Sequence, residues 1–100
     1  MTIHRDGGKV TLTTEERIDT YNAPQFAADM EKALAGATDL TLDFSALKYI
    51  SSTGLRVVLL AMKTMDRQGE MRIVGSSDSV YDILEIAGFT GLCDVERAAE

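Results

Sequence analysis

The sequence predicts an α/β fold, a mixed β-sheet of four to five strands with three to four helices packed on it. Three observations carry the prediction. Short apolar or alternating runs at 9–12, 39–44 and 70–75 have the length and pattern of strands. The segments between them are longer and repeat apolar residues at helical spacing. The strand–helix–strand passage over 39–74 implies parallel neighbours joined by a right-handed crossover.

The elements follow in order. Ile3-His4-Arg5 and Lys9-Val10-Thr11-Leu12 flank Asp6-Gly7-Gly8, and Asp-Gly between two such runs is a hairpin signal. A first helix starts near Asn22 with Pro24 in its first turn, where a missing N–H costs nothing. Its core stripe reads Phe26, Met30, Ala33 and Leu34, and Gly36 ends it. After the strand at 39–44, a second helix spans about 53–67, with Leu55, Val58, Leu59, Met62 and Met65 as core stripe. Its other face carries Arg56, Leu60, Lys63 and Arg67. Glu70–Gly75 is the next strand, and Ser76-Ser77-Asp78-Ser79 caps a third helix with Val80, Ile83, Leu84 and Ala87 on its inner face. Gly88 closes that helix, and Cys93-Asp94-Val95 forms a last edge strand.

One hundred residues, 45% of them hydrophobic, fit a single compact domain over 1–100. A chain of this size buries somewhat more than roughly 60% of its unfolded surface, enough for one modest core. The single cysteine, Cys93, excludes an internal disulfide. No apolar run reaches the roughly 20 residues that span a bilayer, and Met1-Thr2-Ile3-His4-Arg5-Asp6 lacks the apolar core of a signal peptide. The reading is a cytoplasmic chain without membrane insertion. A net charge of −6 argues against nucleic-acid binding, which works by neutralising phosphates. The charge is uneven. Residues 1–44 carry four basic and eight acidic side chains, residues 45–72 five and two, and residues 73–100 one and six. The basic middle is either a solvated helix face or a field suited to an acidic partner.

That middle segment holds Ser51, Ser52 and Thr53 followed by Gly54, between a strand and an apolar helix. Hydroxyls there compete for the N-cap, where unpaired N–H groups and the helix dipole also favour an added negative charge. The loop lacks the glycine spacing and lysine of a P-loop, and it lacks a G-x-S-x-G elbow. His4, the only histidine, and Cys93 have no partner residues at ligand or catalytic spacing, so no metal, cofactor or catalytic residue is expected. Surface placement suits His4, and a small buried apolar role suits Cys93. Nothing in the sequence supplies a general base for Ser52.

Over nearly its whole length the chain resembles the STAS domains of bacterial anti-sigma factor antagonists. Ser51-Ser52-Thr53-Gly54-Leu55 aligns without gaps on the family's Asp-Ser-Ser-Gly or Asp-Ser-Thr-Gly segment, and Asp43 matches the acidic residue at the preceding strand end. Upstream, Arg17-Ile18-Asp19-Thr20-Tyr21-Asn22-Ala23-Pro24 looks like the family's approach to its first helix. Downstream, Leu84-Glu85-Ile86-Ala87-Gly88-Phe89 looks like its last helix and exit. Two positions depart from the pattern: Ser51 replaces the acidic residue before the phospho-acceptor, and Glu16 stands where glycine is usual.

The resemblance implies a STAS-like fold and a non-enzymatic binding protein. It implies an anti-sigma factor that is itself a serine kinase as partner, and phosphorylation at Ser52, with Ser51 and Thr53 as alternatives. Asp19, Asn22, Asp43, Ser51, Ser52, Thr53, Gly54, Arg56 and Leu60 become the expected partner-binding set, in a monomer or weak dimer. For Asp19 and Asn22 helix capping is the plainer reading, and for Leu60 a lone surface leucine. The alternative function is a STAS adaptor subunit of a membrane transport ATPase complex of the lipid-trafficking type, which Ser51 in place of the acidic residue makes possible.

Overall fold

The computed structural model describes residues 1–99. Over those residues the chain forms β1 (Thr2–Asp6), β2 (Lys9–Thr13), β3 (Arg17–Ile18), α1 (Ala23–Leu34), β4 (Asp39–Asp43), β5 (Tyr49–Ile50), α2 (Ser52–Gln68), β6 (Glu70–Ser76), α3 (Asp78–Ile86), a 3₁₀ turn at Phe89–Gly91, and β7 (Asp94–Arg97). The main sheet has the order β1-β2-β4-β6-β7. β1 runs antiparallel to β2, and every other pair is parallel. Each crossover advances one place along the sheet in the same direction. Right-handed connections therefore put all three helices on one face.

The strands record that one-sided cover. Val10, Leu12, Leu40, Leu42 and Ile73 are buried under the helices, while the alternate residues Thr11, Thr41 and Arg72 face the other side and stay half-buried. Phe26 and Met30 of α1, Val58 and Met65 of α2, and Val80 and Leu84 of α3 complete the core. On the open face the Arg72 guanidinium reaches across to Asp39 at 2.7 Å. At the far end of the molecule, Arg5 donates to the carbonyls of Lys32 and Ala35 at 2.6 and 2.8 Å. Gln68 donates to those of Leu34 and Ala37 at 2.7 and 2.8 Å. Carbonyls of the last turn of α1 and of the segment after it, which have no partners within the helix, thereby gain donors.

Five strands in the main sheet and three helices with a 3₁₀ turn match the expected architecture, with differences in detail. The β3–β5 pair lies outside the predicted sheet; two residues per strand leave no periodicity to read. Leu55 and Leu59 are half-buried flanks, because the buried arc of α2 centres on Gly54, Val58, Ala61, Met62 and Met65. Leu34 is likewise half-buried. Ala87 is exposed, because α3 ends at Ile86 and Phe89 of the 3₁₀ turn takes the buried place beyond it. The last strand runs over Asp94–Arg97, with Cys93 half-buried just before it. Gly75, at φ +74°, sits where the β6–β7 register shifts. A Cβ there would lie 3.0 Å from Ser45, and the left-handed backbone suits glycine.

Candidate functional site

The hydroxyl loop is held by the small β3–β5 ladder. Arg17 pairs with Tyr49 and Ile18 with Ile50, and the Ser51 N–H continues the ladder to the Ile18 carbonyl at 2.8 Å. Ile18 and Ile50 turn inward and are buried. Gly54, in the first turn of α2, closes against them: a Cβ there would stand 2.6 Å from Ile18 Cγ2 and 2.8 Å from Ile50 Cγ1. Close packing, not backbone conformation, requires glycine at this position.

The three hydroxyls are not equivalent. Ser51 is the N-cap: it is buried, its Oγ accepts from the Gly54 N–H at 3.2 Å, and its carbonyl accepts the Leu55 N–H at 2.9 Å. Thr53 Oγ1 is engaged with Ser51 Oγ at 2.8 Å. Ser52 is the first helical residue, it is exposed, and its hydroxyl makes no hydrogen bond among the described residues. Thr53 is exposed too, so what sets Ser52 apart is a hydroxyl that is both exposed and without a hydrogen bond among the described residues.

Asp19 and Asn22 are brought beside this loop, since Asp19 follows the Ile18 that holds Ser51. Neither caps α1 by its side chain. The Asp19 carboxylate accepts from the Tyr21 and Asn22 N–H groups at 3.0 and 3.1 Å. The Asn22 amide donates to the Arg17 carbonyl and accepts from the Asp19 N–H, both at 2.7 Å. These bonds fix the turn between β3 and α1. Asp43 is used differently: its carboxylate accepts from the Ser45 N–H at 2.9 Å and shapes the turn leaving β4. Arg56 and Leu60 share an exposed stripe of α2 that begins at Ser52 and continues through Lys63 and Arg67. Leu60, two turns on, stands about 12 Å along the helix from Ser52.

Two aromatic side chains flank the loop that the sequence reading passed over. Tyr21 is 95% exposed, and Tyr49 is 42% exposed with the Arg17 guanidinium 4.7 Å from its ring centroid. Tyr49 lies in a strand and Tyr21 in a turn, and in neither setting does the sequence say what the ring will face. Elsewhere, burial and the adjacent Asp94 carboxylate push the Cys93 thiol up to about 11, which keeps it protonated at neutral pH. A cavity of about 480 Å³ next to Cys93 lies at the C-terminal end of α2, away from the hydroxyl loop. Among the described residues no group of His, Cys, Asp and Glu could hold a metal ion, and no helix is long and apolar enough to cross a membrane.

Residues 1–98 match the STAS domain model. The chain belongs to the STAS family. BtrV of Bordetella bronchiseptica is 31% identical over 102 residues, covering 100% of this chain and 88% of that protein. The anti-sigma-B factor antagonist of Listeria monocytogenes is 30% identical over 96 residues, covering 93% and 83%. The chain is also similar to the anti-sigma factor antagonist SpoIIAA in its unphosphorylated form, with a TM-score of 0.83 at 18% identity over 99% of this chain and 88% of that one. At that identity the likeness to SpoIIAA establishes the fold, a mixed α/β sheet with the helices on one side.

Proposed function

We propose that this STAS protein is an anti-sigma factor antagonist whose docking surface is the Ser52 end of α2, switched off by phosphorylation at Ser52. The unphosphorylated protein binds an anti-sigma factor that is a serine kinase, and so frees a sigma factor. That kinase transfers the γ-phosphoryl group of ATP to Ser52 Oγ, with ADP leaving and the hydroxyl proton lost to the kinase or to water. The complex then separates. The chain itself catalyses nothing in this scheme.

The observation that carries the reading is the inequality of the three hydroxyls. Ser51 and Thr53 are hydrogen-bonded to each other at the helix start, and Ser52 stands exposed at the first position of α2 with no hydrogen bond among the described residues. A phosphate there adds about −1.5 to −2 charges at neutral pH. Its own protein tolerates that charge, since the first turn of α2 contains no acidic residue to oppose it and the helix dipole favours it. A partner packed over the loop would have to bury the charge unpaired, at a cost of about 2–5 kcal/mol, or about 30- to several-thousand-fold in affinity. Local electrostatics suffices for release.

Ser51 in place of the family's acidic residue fits the same scheme. The position is the N-cap of α2, and Ser and Asp serve that role about equally. The test is to mix the protein with its cognate kinase and ATP and map phosphate by mass spectrometry. Phosphate on Ser52, abolished by Ser52→Ala, supports the switch. Phosphate absent from Ser51, Ser52 and Thr53 removes it.

A further inference from the structure

We propose that Arg56 is the intramolecular receiver of the Ser52 phosphate, so that modification adds negative charge and also withdraws a cation from the docking stripe. The inference rests on the phosphorylation reading above and concerns how that site is regulated. Ser52 and Arg56 stand four residues apart on α2 and are both exposed, so they are neighbours on one helix face. An anion placed N-terminal to a cation at this spacing is the favourable order, because helical side chains lean toward the N-terminus.

The other cations around the loop are already engaged. Lys48 lies 3.9 Å from Glu16, and Arg17 lies 3.8 Å from Asp19 while covering the Tyr49 ring. Arg56 makes no ion pair or hydrogen bond among the described residues. Lys63 and Arg67 are unengaged as well, but they sit about 16 and 22 Å along the helix from Ser52. A fixed anion at the corresponding place of α3 also attracts an arginine, although that arginine comes from β7 and not from the next turn of the helix. α3 opens on Ser77 as N-cap and has a fixed anion, Asp78, at the position that Ser52 occupies in α2. Asp78 is met by an arginine, Arg97, at 3.5 Å.

Unphosphorylated, Arg56 is available to an acidic surface on the partner. Phosphorylated, its planar guanidinium takes the phosphate oxygens in a charge-assisted pair. The partner then meets a new anion and loses a cation at one step.

The experiment uses the full chain carrying phosphoserine at position 52 by genetic encoding, so no kinase is needed. The second ionisation of the phosphate, ordinarily near pH 6, is followed by ³¹P NMR. A nearby cation favours the dianion, so the pKa in the native sequence should lie about 0.2–0.4 unit below that of Arg56→Gln. Arg56→Lys should recover part of the shift, and Arg67→Gln should leave the native value unchanged. Equal phosphate pKa values with and without Arg56 would overturn the proposal, as would an equal effect from Arg67→Gln. A kinase that fails to modify Ser52 would defeat the switch and leave this measurement standing. Equal pKa values would defeat the Arg56 pair and leave the switch standing.

Discussion

α2 and α3 both start at the C-terminal end of the parallel strands, and each opens on a serine whose Oγ accepts from the third helical N–H, 3.2 Å from Gly54 N and 3.3 Å from Val80 N. A second hydroxyl follows in both, Thr53 at 2.8 Å from Ser51 and Ser79 at 3.3 Å from Ser77. Apart from the exchange of Thr53 for Ser79, which keeps the hydroxyl, the two starts differ at one position between those hydroxyls and one after them. Where α3 has Asp78, α2 has Ser52; where α3 buries Val80, α2 has Gly54. α3 thus carries a built-in anion at its positive end, and α2 leaves that place to a neutral hydroxyl. The same capping chemistry gives a settled helix start in one case and a start open to modification in the other.

The comparison can be broken most forcefully at Ser52. Ser52→Ala should bind the anti-sigma partner constitutively, and Ser52→Asp, which makes α2 resemble α3, should bind about 30-fold or more weaker. Equal affinities by isothermal titration would count against the switch. Next in size is Gly54→Ala. Alanine is the better helix former, yet its methyl must displace Ile18 and Ile50, so a net loss of about 1–3 kcal/mol is expected in urea unfolding. A neutral or stabilising result would show that the β3–β5 ladder yields.

The caps should separate by burial. Ser51→Ala leaves a buried N–H unsatisfied and should cost about 1–2 kcal/mol, whereas Ser77→Ala, at a half-buried site, should cost about 0.5–1 kcal/mol. Denaturant midpoints of the two variants, compared side by side, give the order directly. The smallest effect is expected at Asp78→Asn. Its pair with Arg97 is solvent-exposed, so the loss should stay within about 0.5 kcal/mol and shrink in high salt.

Much of this was legible in the residues. The Asp6-Gly7 hairpin, the position of Pro24 and the three helices with their main apolar stripes follow from patterns that local sterics impose, and they appear as expected. The misreadings fall at boundaries. Ala87 lies at helical spacing but outside α3, and Leu55 and Leu59 lie at helical spacing but on the flank of the buried arc. Periodicity gives a stripe; the packing partners decide how wide it is and where it stops.

The hydroxyl loop divides in the same way. From sequence alone, Ser51, Ser52 and Thr53 were three claimants for one cap, because hydroxyl chemistry and helix proximity are common to all of them. Tertiary structure separated them. The β3–β5 ladder, two residues on each side and invisible to any period, anchors the Ser51 N–H to the Ile18 carbonyl and seats Gly54 on Ile18 and Ile50. That anchoring commits Ser51 to the cap and leaves Ser52 facing solvent. Sequence determined that a helix begins here with spare hydroxyls, since capping preference is local. Which hydroxyl stays spare depends on contacts made by residues more than thirty positions away, and only the folded chain brings those together.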